Sequence, residues 1–289
     1  MRPKKQRPMH APPVAHENPR FMNSAAARPI RILAEYLHPL VELRKQGIRD
    51  TIVMFGSARI VSREAAEAHL LRLKHAKAPH SAEKRQRHHA ALKEAKSNLE
   101  MSRYYEEARA LSSRITSWAS TLGAKPRRFV ICSGGGPGIM EAANRGAAEA
   151  GGKSIGLSIE LPHEQFANPY ISPELSFNFK YFFMRKLWFA QAAKALIVFP
   201  GGFGTMDELW EMLTLLQTGK LPRKNVILIY GRKYWNEILN WKAMVRWGTI
   251  NKQEYRLLEF ADDVDEAFEL IRSRMEKYHM DASSFRAVP

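Results

Sequence analysis

Twice in this chain a run of Val and Ile ends in a cluster of glycines, and each cluster opens at once into a stretch of helical character. The first, FVICSGGGPGIMEAANRGAAEAGG, starts at Phe129 and holds Gly134, Gly135, Gly136 and Gly138 in its turn. The second, AKALIVFPGGFGTMDELWEMLTLLQTGK, starts at Ala193 and holds Gly201, Gly202 and Gly204. A continuous apolar run of strand length is buried on both faces, which is the habit of a parallel sheet, and parallel strands need crossover connections, usually helical. Further runs of the same kind are TIVMF at 51–55, KSIGLSI at 153–159, LSFNF at 175–179 and NVILIY at 225–230. Strands alternating with helices predict an α/β fold: a doubly wound, Rossmann-like parallel sheet with helices on both faces.

The remaining segments fall around this frame. Residues 1–28 carry Pro3, Pro8, Pro12, Pro13 and Pro19 among basic and small residues and read as a disordered basic tail. Ile30 to Gln46 has helical apolar spacing, and Trp235 to Trp247 and Asp262 to Tyr278 read as late helices. Residues 62–122 are charged, Ala-rich and nearly free of Gly and Pro, and read as an inserted helical segment within a single domain of residues 29–289. Five of the ten histidines lie between His69 and His89, but no Cys or carboxylate spacing completes a ligand set, so no metal is expected.

The formal charge of +16 is concentrated in the tail and in Arg72 to Arg103, where nine Lys or Arg face three Glu. No nucleic-acid-binding signature accompanies it, so it reads as a solvated helical face. No run of 18 apolar residues exists to span a membrane, and the N-terminus lacks the apolar core of a secretory signal. The single cysteine, Cys132, excludes an internal disulfide, and a reducing cytoplasm is the expected compartment.

Ligands of open α/β sheets bind beyond the carboxyl ends of the strands, and both glycine turns fall there. A helix start offers free N–H groups and a positive dipole end to an anion, and glycine lets the backbone come close to it. Neither turn has the Lys-Ser/Thr of a Walker A loop, and neither fits GxGxxG: Ile139 and Asp207 stand where the last glycine belongs. Two phosphate-friendly turns without a dinucleotide signature suit a mononucleotide.

The second turn, read with its flanks as Pro200-Gly201-Gly202-Phe203-Gly204-Thr205-Met206-Asp207-Glu208, resembles the PGGxGTxxE motif of the LOG family. Met184-Arg185-Lys186 is similar to that family's Arg-Lys element, and Gly134-Gly135-Gly136 with Gly138-Ile139-Met140 to its upstream glycine turn. The resemblance runs from about Asp50 to Ile271 and is strongest over 129–220. The chain departs from the family in its tail, in the helical segment after Arg63, and in reading Phe-Phe-Met before Arg185 where a histidine often occurs. LOG-type proteins, often labelled lysine decarboxylase-like, are cytokinin-activating or general nucleoside 5′-monophosphate phosphoribohydrolases, usually dimeric.

The resemblance implies cleavage of the N-glycosidic bond of a nucleotide such as AMP to free base and ribose 5-phosphate, without a cofactor. It gives Gly201, Gly202, Phe203, Gly204 and Thr205 the phosphate, and Glu208 with Arg185 the catalytic work. Gly134, Gly135, Gly136, Gly138, Glu141, Ser57, Met184 and Lys186 would line the substrate, and Arg59 lies beside Ser57 after the first strand. Glu208 has a second reading: Thr205 to Glu208 has the spacing of a capping box, with Thr at the N-cap and Glu three residues on. The apolar face of ELWEMLTLLQTG suggests a homodimer. A non-catalytic carrier of a nucleotide or molybdenum-type cofactor is the alternative. A pyridoxal-phosphate decarboxylase would need a Schiff-base lysine with an acidic partner, and nothing around Lys153, Lys180 or Lys194 makes that case.

Overall fold

The strand Thr51–Phe55 is buried at every position, so layers must cover both of its faces. In the computed structural model, which describes residues 12–76, 81–123, 125–161 and 167–280, this is β1, the middle of a seven-stranded sheet. The others are β2 (Val130–Ser133), β3 (Ser154–Ile159), β4 (Ser176–Phe179), β5 (Ala193–Val198), β6 (Val226–Tyr230) and β7 (Leu258–Ala261). The helices are α1 (Pro19–Met22), α2 (Arg28–Lys45), α3 (Arg63–His75), α4 (Ala82–Met101), α5 (Arg103–Ser120) and α6 (Ile139–Glu149). After them come α7 (Phe182–Ala192), α8 (Phe203–Gln217), α9 (Arg232–Ile238), α10 (Trp241–Arg246), α11 (Lys252–Tyr255) and α12 (Val264–His279).

The strand order is β4-β3-β2-β1-β5-β6-β7, and every pairing is parallel. Alternate residues of each strand face opposite layers. Val53, Phe55, Leu196 and Val198 pack with Leu40, Leu43, Trp188, Leu209 and Met212 on one side. Ile52, Met54, Ala195 and Ile197 pack with Leu111, Ile115, Ala142, Ala143 and Ile271 on the other. The expected doubly wound α/β fold is therefore the observed one. Among the described residues no helix is long and apolar enough to cross a membrane.

The expected insertion resolves into two parts. Helix α5 buries Tyr104, Tyr105, Ala108, Leu111, Ser112, Ile115 and Thr116, and is the crossover helix of the sheet itself. Helix α4 buries only Ala95, and α3 only Ala66 and Leu70, so the added element is the α3–α4 hairpin. Of the expected tail, residues 1–11 lie outside the described residues, while Ala15–Glu17 and Pro19–Met22 form helical turns, the second capped by Asn18. Strand β7 is an element that apolar runs did not reveal, because it is short and carries Glu259. The expected helix over 235–247 is broken at Leu239 and Asn240, where the Asn240 side chain caps α10.

The apolar residues of ELWEMLTLLQTG do not make an outer face. Leu209, Met212 and Leu216 are buried in the core, and that stretch is corrected as the basis for self-association.

Beneath the first glycine turn sits a buried polar cluster. Asn144 on α6 accepts from Ser133 Oγ at 2.6 Å and donates to Ser154 Oγ at 3.0 Å. Asn168 Nδ2 donates to the carbonyls of Gly135 and Gly136, both at 3.1 Å, and to Asn144 Oδ1 at 3.0 Å. Leaving such groups unpaired in the interior is expensive. Asn144→Ala is expected to lower the unfolding free energy by about 2–4 kcal/mol, read from the midpoint of urea denaturation.

Candidate functional site

Strand β1 leads to β2 on one side and is flanked by β5 on the other, so the strand order reverses between β1 and β5. Phe55 and Val198 lie level in register, and the loops that follow them leave together. Phe199 N donates to Phe55 O at 2.8 Å, and Ser57 N to Pro200 O at 2.9 Å. Ile139 N, at the start of α6, donates to Ser57 O at 3.2 Å. Three main-chain bonds thus bind the loops after β1, β2 and β5 into one surface at the switch point, where open α/β sheets take their ligands.

The two glycine turns on that surface differ. In the first, a Cβ on Gly134 would lie 2.7 Å from the Met140 sulfur, one on Gly135 2.6 Å from Ser158 Oγ, and one on Gly138 2.4 Å from Ser57 O. Gly135 and Gly138 also sit at φ +71°. These glycines serve close packing of protein on protein, and the expected role of Gly134, Gly135, Gly136 and Gly138 against substrate narrows to shaping the loop, with Gly136 buried and its carbonyl held by Asn168. In the second turn Gly201 is of the same kind, its virtual Cβ 2.1 Å from Thr205 Oγ1. Gly202 and Gly204 are not: nothing lies within 4 Å of the Cβ each lacks.

Helix α8 begins at Phe203 with Gly202 as its N-cap, and no side chain caps it. The first turn of a helix leaves its N–H groups without intrahelical acceptors, so an open, glycine-lined set of donors faces outward. Phe203 is 94% exposed and Thr205 only 5%. The capping-box reading of Thr205 and Glu208 is corrected by this geometry. The helix starts three residues early, with Gly202 rather than Thr205 at the N-cap, Thr205 falls at its third position, and Glu208 lies in the second turn, out of reach of a cap.

Glu208 instead meets α7. It is 2% exposed, its Oε1 lies 3.2 Å from Arg185 Nη2, and its Oε2 3.7 Å from Lys186 Nζ. Burial pushes the Glu208 carboxyl above its usual 4.5, against the pull of Lys186 and Arg185. Burial likewise lowers the Arg185 guanidinium, against the attraction of Glu208. Arg185 Nε is buried and has no hydrogen-bond partner among the described residues. A half-satisfied buried ion pair with a spare donor is the kind of arrangement that gathers at functional sites.

Other candidates are placed elsewhere. Lys186 Nζ is occupied by Asp207 at 2.8 Å and Glu211 at 2.6 Å as well as Glu208, so it steadies the carboxylate rather than contacting substrate. Met184 is buried in the core rather than at the cleft. Glu141 accepts from Tyr105 OH at 2.6 Å, which ties it to α5. Ser57 and Arg59 line a cleft of about 160 Å³ beside the second turn, with Asn98, Met101, Gly202 and Tyr234. Sequence reasoning missed Asn98, Met101 and Tyr234. Asn98 and Met101 come from the α3–α4 hairpin, and Tyr234 OH donates to Gly201 O at 3.0 Å. Their only sequence signal is position, because no motif marks them. Among the described residues no group of three His, Cys, Asp or Glu stands ready for a metal ion.

A family model described as "Possible lysine decarboxylase" matches residues 140–271, which hold α6 through α8, the open glycine turn and the Arg185–Glu208 pair. Cytokinin riboside 5′-monophosphate phosphoribohydrolase LOG7 of Arabidopsis thaliana is 37% identical over 95 residues, 32% of this chain. Residues 140–271 are thus similar to this LOG, or lysine decarboxylase-like, family. The matched part spans 42% of that relative's length. Two solved structures resemble this chain at low identity. A molybdenum cofactor carrier protein from Chlamydomonas reinhardtii is 19% identical, covering 79% of this chain and 99% of its own with a TM-score of 0.43. A molybdenum cofactor binding protein from Rippkaea orientalis is 17% identical, covering 59% and 86% with a TM-score of 0.42. Neither likeness bears on ligand or activity.

The contrast between the glycines of this LOG-like turn has a measurable consequence. Gly204→Ala meets open space and is expected to fold as well as the parent, since Ala suits a helix better than Gly by up to about 1 kcal/mol. Gly201→Ala is expected to lower stability by about 1–3 kcal/mol through its clash with Thr205. Thermal unfolding of the two variants side by side checks the pair.

Proposed function

We propose that the protein hydrolyses the N-glycosidic bond of nucleoside 5′-monophosphates, AMP or an N6-modified relative, to free base and ribose 5-phosphate. The observation that carries this reading is the buried Glu208–Arg185 pair set one turn beyond an uncapped, glycine-open helix start. The curated relative is itself a phosphoribohydrolase acting on a riboside 5′-monophosphate.

In this reading the phosphate sits at the α8 start, held by the N–H groups of Gly202 to Thr205 and by the helix dipole. Arg185 donates its spare Nε–H to the phosphate or a ribose oxygen. As the bond from C1′ to the base nitrogen lengthens, its electron pair leaves with the base and positive charge grows on the sugar. Glu208, ionised in a dry site, faces that charge and orients the attacking water. The water's oxygen bonds to C1′ and its proton ends on the departing base. Arg185 and Lys186 keep Glu208 ionised against its burial.

The label of lysine decarboxylase finds no support in the lysines. Lys153 pairs with Glu174 and Lys180 lies 4.0 Å from Glu160. Lys153 and Lys194 sit at the starts of β3 and β5, the end of the sheet away from the glycine turns.

A homodimer is part of the proposal, now on a different surface. Ile30, Leu33, Leu37 and Val41 form an exposed stripe at helical spacing along α2, and Phe182, Phe183 and Leu187 on α7 are exposed as well. Apolar surface of that extent on one helix pair marks a contact face. The double variant Leu33→Arg, Leu37→Arg is expected to run as a monomer in light scattering where the parent is a dimer; a parent monomer overturns this part.

Incubation with a panel of nucleoside monophosphates, read by chromatography of released base, tests the activity. Glu208→Gln is expected to lower kcat/KM by about 10²–10³-fold or more while phosphate affinity holds. Because burial raises the Glu208 pKa, activity should fall with decreasing pH along a limb that lies above pH 4.5, and that limb should vanish in the Gln variant. Tight binding with no base released from any nucleotide would make the protein a carrier instead.

A further inference from the structure

At the amino-terminal end of the sheet, opposite the glycine turns, lies a cavity of about 360 Å³. It is framed by the end of α5, the turn after α6 and the starts of β2 and β3, and Thr116, Ser120, Arg127, Arg128, Phe129 and Lys153 line it. Three cations thus share one pocket, and their counter-charges do not balance. Arg128 is answered by the buried Asp50, with Nε to Oδ2 at 2.8 Å, and also donates to His279 O at 2.7 Å. Lys153 pairs with Glu174. Among the described residues the Arg127 guanidinium donates to the neutral carbonyl of Gln46 and adds its charge to that of Lys153 in lowering the Glu174 pKa, so three cations share two carboxylates. Behind the cavity, Lys194 draws on the same Asp50 and is repelled by Arg128 and Arg49.

Two further features mark this wall. Phe129 has φ +54°, the one non-glycine in the left-handed region among the described residues, a conformation of the sort that collects at ligand clamps. Its amide donates to Asp50 Oδ1 at 2.7 Å, and its ring stacks on Trp118 with centroids 5.2 Å apart. The Thr116 hydroxyl is buried with no hydrogen-bond partner among the described residues. The wall is therefore rigid and apolar behind, and cationic at its rim.

We propose that this cavity is a second ligand site, for a small metabolite bearing a phosphate or carboxylate group. Arg127 and Lys153 hold the anionic group with the N–H donors that Gln46 and Glu174 leave over, and Ala119 and Val130, backed by the buried Phe129 ring, face the apolar remainder. The site lies at the far end of the sheet from Glu208 and is independent of the reaction proposed above.

Calorimetric titration of the full chain with inorganic pyrophosphate, and separately with citrate, tests it. The titrations use Gly204→Asp, whose carboxylate at the start of α8 repels anions from the glycine turn. Saturable binding is expected, accompanied by movement of the Phe129, Gly151 and Gly152 amide signals in nitrogen-15 spectra. Arg127→Gln with Lys153→Gln is expected to weaken it by about tenfold or more, since charge-assisted hydrogen bonds are lost. Ser120→Glu, an exposed rim position, should do the same without disturbing any ion pair if the double variant does not fold. The tighter of the two probes tells a phosphate ligand from a carboxylate one. Absence of saturable binding by both, or unchanged affinity in the folded variants, overturns the proposal.

Discussion

Three main-chain hydrogen bonds, Phe199 to Phe55, Ser57 to Pro200 and Ile139 to Ser57, hold the carboxyl end of this sheet together. Parallel strands end level but their loops diverge, and nothing in a doubly wound topology by itself keeps those loops in contact. Here the contact is so close that side chains are excluded at Gly138 and Gly201. With those positions locked, the next residues are delivered without freedom: α8 starts at Phe203, its donors open outward, and Glu208 turns inward toward α7. The glycines that look most like ligand contacts are largely the ones that make the platform, and Gly202 and Gly204 are the ones left open.

The Arg185–Glu208 pair is poorly justified as a stabilising element. Both groups are buried, burial disfavours the charge on each, and one guanidinium donor goes unused. Pairs of this kind are often no better for stability than apolar side chains of equal size. The sign of the linkage agrees: a carboxyl whose pKa is raised on folding favours the folded state while protonated, and that advantage is lost as pH rises through the window above 4.5. Keeping the pair ionised would carry a stability cost, which the function proposed above would account for. Lys186, less buried and surrounded by Asp207, Glu208 and Glu211, gains from its partners and has its pKa raised. It offers the three α8 carboxylates one shared, partly buried ammonium.

The α3–α4 hairpin adds a layer to this arrangement. It contributes little to the core, yet its end brings Asn98 and Met101 to the cleft beside Gly202. An element almost free of packing obligations can change without harm to the fold, so the wall it offers the cleft is set separately from the platform beneath.

Much of this architecture was legible in the chain itself. Apolar runs buried on both faces demand a parallel sheet, and glycines dense at two strand ends announce the switch-point loops. Tyr104, Tyr105, Ala108, Leu111 and Ile115 even carry the helical spacing that separates α5 from the hairpin before it. What local pattern could not decide was anything set by neighbours distant in sequence. Thr205 to Glu208 has capping spacing, but the helix starts at Phe203 and the Thr205 hydroxyl is packed against Gly201. Met184 and Lys186 flank Arg185 in sequence, yet the helical turn points one into the core and the other toward the carboxylates of α8. Residue type and spacing determined that there would be glycine turns, a carboxylate and a guanidinium. Only the packing of α7 against α8 and of three loops on one another decided which glycines stay open and which side chains meet, because those contacts join segments that the chain order keeps apart.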